Sequence, residues 1–311
     1  MKGLRMNSTT LLAGGVGGAR LARGLAAVVA DEDLTIVVNV GDDDRIYGAH
    51  VSADLDTVVY TLAGLEAPRG WGIAGDTFEV IEALGTFGID TSFRLGDRDL
   101  ALCLYRTEML DGGVPLSTVT REICAALGVG ATILPATDAP LRTRLHTADA
   151  GWLAFQDYFV RRQHRDEVIE LEYRGSGEAP PAPGVIEAIT TAEVVYIAPS
   201  NPPLSIHPIL AVESIRQALG AAPRVVAISP LFGGKALKGP ADKVLASLGF
   251  PAGNAGILAA YEGLITDLVV DESDATDADT LAGAVRIHST DTRFAKAESA
   301  VRFARWLIDL P

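Results

Sequence analysis

Short apolar runs alternate along the chain with stretches in which apolar residues recur every three or four positions. The first run spans residues 9–13, and after a glycine turn Leu21, Leu25 and Val28 follow at helical spacing. A second apolar run, at residues 34–39, precedes another helical stretch. Short apolar runs bounded by turn residues are typical of buried strands, whereas the longer period is typical of amphipathic helices. The alternation therefore predicts an α/β fold with a mostly parallel sheet.

The pattern changes between residues 141 and 183 and then returns. Residues 141–147 and 168–173 alternate at period two, and residues 152–160 are rich in aromatic and β-branched side chains, which favours antiparallel strands. Apolar runs that predict further parallel strands lie at 194–198, 225–228 and 268–270. We predict a Rossmann-like core of residues 1–140 and 184–311, covered by helices, and a smaller antiparallel insert with its linker at 141–183.

Composition narrows the possible functions. The 311 residues include 26 Lys and Arg against 40 Asp and Glu, which gives a net charge of −14. A chain this acidic offers no general surface for nucleic acid, and no apolar run is long enough to span a membrane. Cys103 and Cys124 are the only cysteines, and they lack metal-ligand spacing. We therefore expect a cytoplasmic protein that acts on small molecules.

The turn after the first predicted strand is rich in glycine. Its candidate phosphate-binding residues are Gly14, Gly15, Gly17, Gly18 and Arg20. Glycine amides at a helix N-terminus bind phosphate well, and a bound anion would offset the unfavourable place of an arginine in the first helical turn. The alternative is that the glycines serve only close helix–strand packing. The Gly-Lys-Ser/Thr of a P-loop is missing, and Asn39 stands where a dinucleotide-binding protein has an acid, which argues against NAD.

A cluster of aspartates follows the second predicted strand. Asp42, Asp43 and Asp44 are consecutive, and Asp54 and Asp56 open the next helix. Carboxylates this close repel one another unless a cation lies between them, and Mg²⁺ is usually held by one or two carboxylates together with substrate phosphates. We expect an Mg²⁺ site here, at the carboxyl end of a strand, where open α/β sheets bind ligands. The alternative is a solvated acidic loop in which Asp54 caps the helix.

Two loops after later strands also carry polar groups. Ser200 and Asn201 lie in a proline-fixed turn, and Gly234 and Lys235 lie in a loop rich in glycine and lysine. The first loop offers side-chain donors and acceptors at a strand end, and the second is a plausible anion-binding loop. The alternative for the second is an ordinary surface turn, because lysines are usually exposed.

Three residues between the acidic loop and the insert complete the candidates. Trp71 lies between glycines and could stack on a planar ring, although a tryptophan in a loop more often covers the edge of a core. Asp97 and Arg98 form a compact polar group at the start of an apolar stretch. The default interpretation is a helix cap with a local ion pair, and the alternative is a phosphate contact from Arg98.

A glycine turn, an acidic loop and two donor-bearing loops together suit phosphoryl-type transfer, in which positioning and charge neutralisation supply most of the catalysis. Motifs that match one known family, in order along the chain, lie at residues 13–20, 39–43, 50–57, 60–64, 95–100, 198–202 and 238–240. With these motifs the chain resembles the 2-phospho-L-lactate transferase family, which makes the deazaflavin coenzyme F-420.

The resemblance implies a reaction. The ribityl hydroxyl of the deazaflavin Fo attacks the phosphate that carries a lactyl or enolpyruvyl group in a guanosine diphospho-linked donor, and GMP leaves. By the same resemblance, Asp42 and Asp54 bind Mg²⁺, and Asp56 is either a supporting residue of the metal site or the base. The motifs do not distinguish lactate, enolpyruvate and glycerate as the transferred acid. The resemblance also implies a homodimer.

The remaining candidates receive roles from the same resemblance. The glycine turn and Arg20 would hold the phosphates. The residues expected to hold guanosine diphosphate are Ser200, Asn201, Gly234 and Lys235. Trp71, Asp97 and Arg98 would lie toward the acceptor.

One alternative function comes from a different class. A related branch of the same superfamily consists of nucleotide-sugar-binding regulatory proteins, which bind a ligand without transferring a group. Those proteins carry a glycine- and serine-rich loop after the acidic pair, whereas this chain has residues 44–47, Asp-Arg-Ile-Tyr, at that point. The sequence therefore favours the transferase.

Overall fold

A computed structural model describes residues 8–281, Gly283 and residues 285–311, so residues 1–7 of the predicted core lie outside the described part. The strands are β1 (Thr9–Ala13), β2 (Leu34–Val38), β3 (Asp44–Ile46), β4 (Ala49–Val51), β5 (Thr132–Pro135), β6 (Arg142–Thr147), β7 (Gly151–Ala154), β8 (Val168–Arg174), β9 (Val194–Ile197), β10 (Val225–Ile228), β11 (Leu231–Phe232), β12 (Lys235–Ala236), β13 (Asp267–Asp271) and β14 (Arg286–Thr290). The α-helices are α1 (Gly15–Ala26), α2 (Ala53–Leu62), α3 (Glu79–Thr86), α4 (Asp97–Asp111), α5 (Leu116–Ala126), α6 (Val185–Thr191), α7 (His207–Leu210), α8 (Glu213–Gly220), α9 (Ala241–Ser247), α10 (Asn254–Ala260), α11 (Asp277–Leu281) and α12 (Ala297–Ile308).

Seven strands form the central sheet, in the order β14-β13-β10-β9-β1-β2-β5. The pairs in this sheet are parallel. Strands β1, β10 and β13 are buried along their whole length, as expected when helices cover both faces of a parallel sheet. The predicted fold class, a Rossmann-like sheet covered by helices with a smaller set of antiparallel strands, is confirmed.

The strand order places a topological switch point at β1. The chain runs outward from β1 through β2 to β5, and it later returns to the other side of β1 through β9 and β10. Ala13 is level with Val38 of β2, and Leu12 is level with Ile197 of β9. The loops that follow these three strands therefore leave the sheet at the same height, in the crevice where open α/β sheets bind ligands.

A separate three-stranded antiparallel sheet, in the order β7-β6-β8, follows the edge strand β5. Its apolar side chains Leu145, Tyr158 and Val168 form one buried cluster with Leu204 and Val244 of the segments around the main sheet. The small sheet is thus held against the carboxyl side of the core by an apolar contact of its own.

The prediction of strand structure throughout residues 152–160 was wrong in its second half. Strand β7 ends at Ala154, and a helical turn spans Asp157–Arg161. In this turn the rings of Phe155 and Phe159, four residues apart, stack with centroids 5.4 Å apart. Residues four apart also share a face in a strand, but there they lie about 13 Å apart, so only helical geometry brings the two rings into contact. The aromatic pair thus overrides the β propensity of the segment.

The sequence analysis also missed a hairpin inside the aspartate-rich stretch. Strands β3 and β4 pair antiparallel, with Ile46 opposite Ala49. The two residues between them, Tyr47 and Gly48, have φ angles of 53° and 85°. A two-residue turn with positive φ matches the twist of a hairpin. The sequence usually marks such a turn by Asn-Gly or Asp-Gly, and here a tyrosine stands in the first position, so the hairpin was not predicted.

Helix α1 packs closely against α12 through Gly24. A β-carbon at Gly24 would lie 2.5 Å from the carbonyl oxygen of Ala300 in α12. The missing side chain therefore lets the two helix backbones approach each other. None of the helices in the described ranges is long and apolar enough to cross a membrane.

We expect Gly24→Ala to lower the free energy of unfolding by about 1–3 kcal/mol, because the new methyl group must push two packed helices apart. Gly220→Ala is the matched control: its β-carbon would lie 3.8 Å from the nearest Leu264 atom, an ordinary contact, so the variant should gain about 0.5–1 kcal/mol from lower backbone entropy. Urea unfolding of both variants measures the difference. A Gly24→Ala protein as stable as the wild type would contradict the close helix contact.

Candidate active site

Asn39, the first residue after β2, lies between two aspartates at the switch point. Its side-chain Oδ1 accepts a hydrogen bond of 2.7 Å from the backbone N–H of Gly41. This bond fixes the amide so that Nδ2 donates to Asp54 Oδ2 at 2.9 Å and to Asp42 Oδ1 at 3.3 Å. The structure therefore brings Asp42 and Asp54, the two predicted metal ligands, onto one buried amide group.

Asp54 also lies against the glycine turn after β1. Its Oδ1 accepts a hydrogen bond of 2.7 Å from the backbone N–H of Gly15, the first residue of α1. A β-carbon at Gly14 would lie 2.7 Å from Asp54 Oδ2, so only glycine leaves room for this carboxylate. The prediction that Asp54 caps its own helix was wrong, because it lies in the first turn of α2 and binds the N-terminus of α1 instead.

The environment of this pair disfavours two negative charges. Burial raises the pKa of Asp42 well above its usual range, and the nearby charge of Asp54 adds to the effect. Burial also raises the pKa of Asp54 to about 6, although hydrogen bonds from Asn39 and Gly15 oppose this shift. The two carboxyl groups are close enough to share a hydrogen bond. Buried oxygen ligands in this arrangement fit a hard divalent cation, which would restore the stability of the ionised forms.

Asp43 forms the next part of the acidic loop and is also buried. Its Oδ2 accepts a hydrogen bond of 2.8 Å from Ser52, and His50 lies 4.0 Å from the same oxygen. Burial raises the pKa of Asp43 to about 7, against the lowering effect of Arg142. Burial lowers the pKa of His50 to about 4, so this histidine is neutral near pH 7.

Asp56 is occupied by a buried arginine. The guanidinium of Arg106 forms a two-point ion pair with Asp56, and its Nη1 also donates to the carbonyl oxygen of His50 at 3.2 Å. Both partners are at least nine-tenths buried. Burial raises the pKa of Asp56, and the charge of Arg106 opposes this shift. Because the guanidinium occupies the carboxylate at two points, the geometry favours a supporting role for Asp56. Its catalytic role stays a prediction.

The glycine turn serves close packing at several positions. A β-carbon at Gly17 would lie 2.5 Å from the carbonyl oxygen of Pro199, and one at Gly18 would lie 3.0 Å from the side chain of Ala13. Gly15, with φ of +64°, has open space on its side-chain side. The packing alternative therefore holds for Gly17 and Gly18, while phosphate binding by the turn stays a prediction.

Arg20 does not point freely toward the acidic pair. Its Nε lies 3.6 Å from Glu66, which also accepts a 3.0 Å hydrogen bond from Arg23. Glu66 thus takes the place of an anion beside this arginine. The prediction that Arg20 lies in the first helical turn was wrong, because α1 begins at Gly15 and Arg20 falls in its second turn. A contact between Arg20 and a phosphate stays a prediction and would have to compete with this ion pair.

Ser200 joins the glycine turn to the loop after β9. Its hydroxyl donates a hydrogen bond of 2.6 Å to the carbonyl oxygen of Gly14. Next to it, Asn201 Oδ1 accepts a 3.3 Å hydrogen bond from the backbone N–H of Leu204, and Asn201 Nδ2 is buried without a partner among the described residues. The structure therefore brings Ser200 to the acidic site and leaves one donor of Asn201 unpaired among the described residues; a contact of Asn201 with a ligand stays a prediction.

Gly234 and Lys235 lie at a small hairpin. Gly233 and Gly234, with φ angles of 58° and 72°, form the two-residue turn between β11 and β12. The backbone N–H of Gly233 donates a 3.0 Å hydrogen bond to the hydroxyl of Ser273. One amide of this turn is thus engaged within the protein, and Lys235 is exposed. A contact of this hairpin with the donor stays a prediction.

Trp71 lies between the glycine turn and the antiparallel sheet. Its ring meets Phe159 edge-on, with centroids 6.5 Å apart, and Lys238 Nζ lies 6.0 Å from its centroid. A β-carbon at Gly70 would lie 2.6 Å from Val16 in the first turn of α1. The indole is 48% exposed, so part of its face is open to a planar ligand.

Asp97 and Arg98 take part in reciprocal helix capping. Asp97 Oδ2 accepts a 3.0 Å bond from Glu79 N and Oδ1 a 3.0 Å bond from Val80 N at the start of α3. In return, Asp76 accepts a 2.9 Å bond from the backbone N–H of Arg98 at the start of α4. Asp97, the first residue of α4, thus caps α3, and Asp76, which precedes α3, caps α4. The default interpretation of a cap therefore applies to Asp97, and a contact with the acceptor stays a prediction.

Comparison with known proteins decides the family. The sequence model of the family described as "2-phospho-L-lactate transferase CofD" matches residues 9–302. This chain belongs to the 2-phospho-L-lactate transferase family. It is 39% identical to a phosphoenolpyruvate transferase of Streptomyces griseus over 308 residues, which cover 96% of this chain and 97% of that protein.

Two further proteins extend the comparison. The chain is 37% identical to a 2-phospho-L-lactate transferase of Methanospirillum hungatei over 294 residues, covering 94% of this chain and 97% of the relative. A crystal structure of a UPF0052 family protein from Bacillus halodurans superposes with a TM-score of 0.67 at 17% identity, covering 98% of this chain and 100% of that one. This last likeness supports the fold of the transferase family member described above.

Sequence reasoning missed several residues of this transferase-family site. Asn39 entered it only as an argument against NAD, yet its amide orients both predicted metal ligands. Arg106 lies in the middle of an amphipathic helix, where nothing marks it as buried, and Ser52 resembles an ordinary helix cap. For Asn39 the signal was available: a polar residue that ends a buried strand next to the aspartates.

We expect Arg106→Leu to destabilise the protein by about 3–5 kcal/mol, because it leaves the Asp56 charge buried and unpaired. Arg45→Leu is the control: it breaks the ion pair with Asp111, whose partners are 52% and 55% exposed, and should cost less than about 1 kcal/mol. Urea unfolding measures both. Adding Asp56→Asn to Arg106→Leu should restore part of the lost stability. Equal losses of stability in Arg106→Leu and Arg45→Leu would contradict the buried pair.

Proposed function

We propose that this protein transfers a phospholactyl or phosphoenolpyruvyl group to the deazaflavin 7,8-didemethyl-8-hydroxy-5-deazariboflavin (Fo). The donor is lactyl-2-diphospho-5′-guanosine or enolpyruvoyl-2-diphospho-5′-guanosine. The observation that carries the proposal is the buried Asp42–Asp54 pair at the switch point, in a chain of this family. Relatives named as 2-phospho-L-lactate transferase and as phosphoenolpyruvate transferase support both donor types.

The proposed reaction replaces a phosphoanhydride bond of the donor with a phosphate ester bond to the acceptor. The ribityl hydroxyl oxygen of Fo forms a bond to the phosphorus that carries the three-carbon acid, and the bond from this phosphorus to the bridging oxygen of GMP breaks. The hydroxyl proton is released, and GMP leaves with the bonding electrons. The product is a phosphodiester between Fo and the acid, which is coenzyme F-420-0 or its dehydro form.

Asp42 and Asp54 are the proposed Mg²⁺ ligands. The ion would neutralise the charge of the diphosphate and of the leaving GMP. The protein orients the pair through Asn39 and the Gly15 amide, so the two carboxylates are fixed before substrate arrives. Asp56 and Arg106, which neutralise each other, add no net charge to this arrangement.

Other residues are proposed to position the two substrates. Asn201 has a buried, unpartnered Nδ2 near the glycine turn and is suited to donate to the nucleotide. Lys235, on the exposed hairpin, would neutralise a phosphate. The open face of Trp71 is suited to stack on the tricyclic ring of Fo. The homodimer implied by the family stays a prediction.

Mass spectrometry of the products made from Fo with each donor in turn tests the proposal. We expect Asp42→Asn to lower the transfer rate at least about 1,000-fold, because a cation ligand contributes several kcal/mol of transition-state stabilisation. The fold should remain, since the change removes a buried charge that repels Asp54. Asp149→Asn, at the exposed turn between β6 and β7, is the matched control and should keep wild-type rates.

Two results would defeat the proposal. Normal turnover of Asp42→Asn at saturating Mg²⁺ would remove the role of the buried pair. Saturable binding of a guanosine diphosphate derivative by the wild type, with no product from any donor, would instead favour a regulatory protein.

We expect Mg²⁺ to raise the melting temperature by several degrees more at pH 8 than at pH 5. Burial raises the pKa of Asp54 to about 6 and that of Asp43 to about 7, above the unfolded value of 3.8. Between these values the folded protein binds more protons than the unfolded chain, so without a cation its stability falls as pH rises from about 4 to about 7. The ionised Asp42–Asp54 pair then binds the cation, and this binding restores the stability of the folded protein.

Differential scanning fluorimetry with and without MgCl₂ measures this effect. In Asp42→Asn the pH-dependent part of the Mg²⁺ effect should largely disappear. An equal Mg²⁺ effect at both pH values in the wild type would show that the cation binds elsewhere.

A further inference from the structure

A small cavity lies beside the acidic loop, on the side of the antiparallel sheet. Its volume is about 200 Å³, and residues that line it include Asp42, Asp43, Arg142, Thr143, Phe155 and Arg174. This is smaller than the roughly 300–1,000 Å³ of sites that bind drug-sized ligands, so the cavity suits a group of a few atoms. Because it contains Asp42, a ligand in it would adjoin the proposed metal pair.

Arg142 brings an available positive charge to this cavity. Within the described ranges, its side chain donates one hydrogen bond, of 2.7 Å, to the carbonyl oxygen of Leu141. A guanidinium has five N–H donors, so most of them remain available. Its charge lowers the pKa of both Asp42 and Asp43, which places the guanidinium near the acidic loop.

The register of the antiparallel sheet places a second arginine beside the first. Arg142 of β6 lies directly opposite Arg174 of β8, and both line the cavity. Like charges directly opposite on neighbouring strands destabilise a sheet. Glu172 lies 3.1 Å from Arg174 and offsets part of this repulsion, and an anion bound between the two arginines would remove the rest.

Thr143, the next residue of β6, does not take part in this cavity with its side chain. Successive side chains of a strand point to opposite faces, so the Thr143 hydroxyl lies on the face opposite to Arg142. The side chain is 1% exposed, and a β-carbon at Gly41 would lie 2.6 Å from its Oγ1.

The position of the cavity indicates which part of the donor would bind in it. The loops with Ser200 and Asn201 follow β9, on one side of β1, whereas the cavity lies beyond β2, on the other side. A donor whose nucleotide lies toward β9 and whose diphosphate meets Asp42 and Asp54 would direct its non-nucleotide end toward the cavity. That end carries a three-carbon acid with one carboxylate.

We propose that Arg142, together with Arg174, binds the carboxylate of the transferred three-carbon acid in this cavity. This inference rests on the proposed function. A guanidinium binds a carboxylate by two parallel hydrogen bonds. The acids of the opposite wall would repel a carboxylate, and Arg174 adds the second positive charge that offsets them. Arg142 is thus a specificity residue that selects donors with a carboxylate next to the transferred phosphate.

Calorimetric titration in the presence of Mg²⁺ tests the inference with two probes. One is enolpyruvoyl-2-diphospho-5′-guanosine, and the other is the ethyl ester of guanosine diphosphate, which lacks the carboxylate. We expect Arg142→Ala to raise the Kd of the first probe roughly 10- to 100-fold, as for loss of a charge-assisted hydrogen bond, and to leave that of the second unchanged. Arg165→Ala, an exposed arginine of the same insert outside the cavity, should change neither value.

The outcomes separate this inference from the proposed function. An unchanged Kd of the carboxylate donor in Arg142→Ala would overturn the inference, and so would equal weakening of both probes, which would assign Arg142 to the diphosphate. Wild-type protein that binds both probes equally tightly would overturn the inference and leave the proposed function standing. Wild-type protein that binds neither probe would overturn both.

Thr143→Val is a second control. Its side chain lies on the opposite face of β6 and is 1% exposed, so the variant should leave the Kd of both probes unchanged. The melting temperature without ligand should stay the same or rise, because the lost hydroxyl has no hydrogen-bond partner among the described residues. A raised Kd of the carboxylate donor alone would place the carboxylate on the other face of the strand and overturn the inference.

Discussion

The site depends on two carboxylates that are buried side by side, Asp42 and Asp54. Burial alone would favour their neutral forms, and their mutual repulsion strengthens this preference. The protein holds them in place with the amide of Asn39 and the backbone N–H of Gly15. These contacts join the loop after β2, the start of α2 and the start of α1, so none of the three can shift alone. The arrangement is fixed by the fold, and in the proposed function a cation from outside the chain would complete it.

The glycine turn provides the space in which these loops meet. Gly14 leaves room for the Asp54 carboxylate, Gly17 lies against the carbonyl oxygen of Pro199, and the Ser200 hydroxyl binds the carbonyl oxygen of Gly14. The turn thus touches the acidic loop on one side and the loop after β9 on the other. Close packing is the role that its contacts show, and binding of an anion would use the amides that remain.

Two arginines near the acidic loop have different roles because their surroundings differ. Arg106 is buried and bound at two points by Asp56, so its charge is neutralised within the protein. Arg142 is only partly buried, donates one bond to a backbone carbonyl and lies opposite another arginine. Arg106 stabilises the acidic loop, because its removal would leave the charge of Asp56 buried and unpaired. Arg142 leaves its donors directed to a cavity, where a ligand can use them.

The sequence by itself determined the α/β class, the parallel strands and the grouping of the glycine turn and aspartates at strand ends, because hydrophobic period and turn residues are local signals. It did not determine which acids face each other. Asp54 binds the neighbouring helix, Asp56 is closed by Arg106, and Asp97 caps a helix distant in sequence. Nor could it pair Arg142 with Arg174 or bury Thr143, since register between strands and burial arise from contacts between distant segments. Only the tertiary structure decides which charged side chains are paired within the protein and which have donors or acceptors left for a ligand.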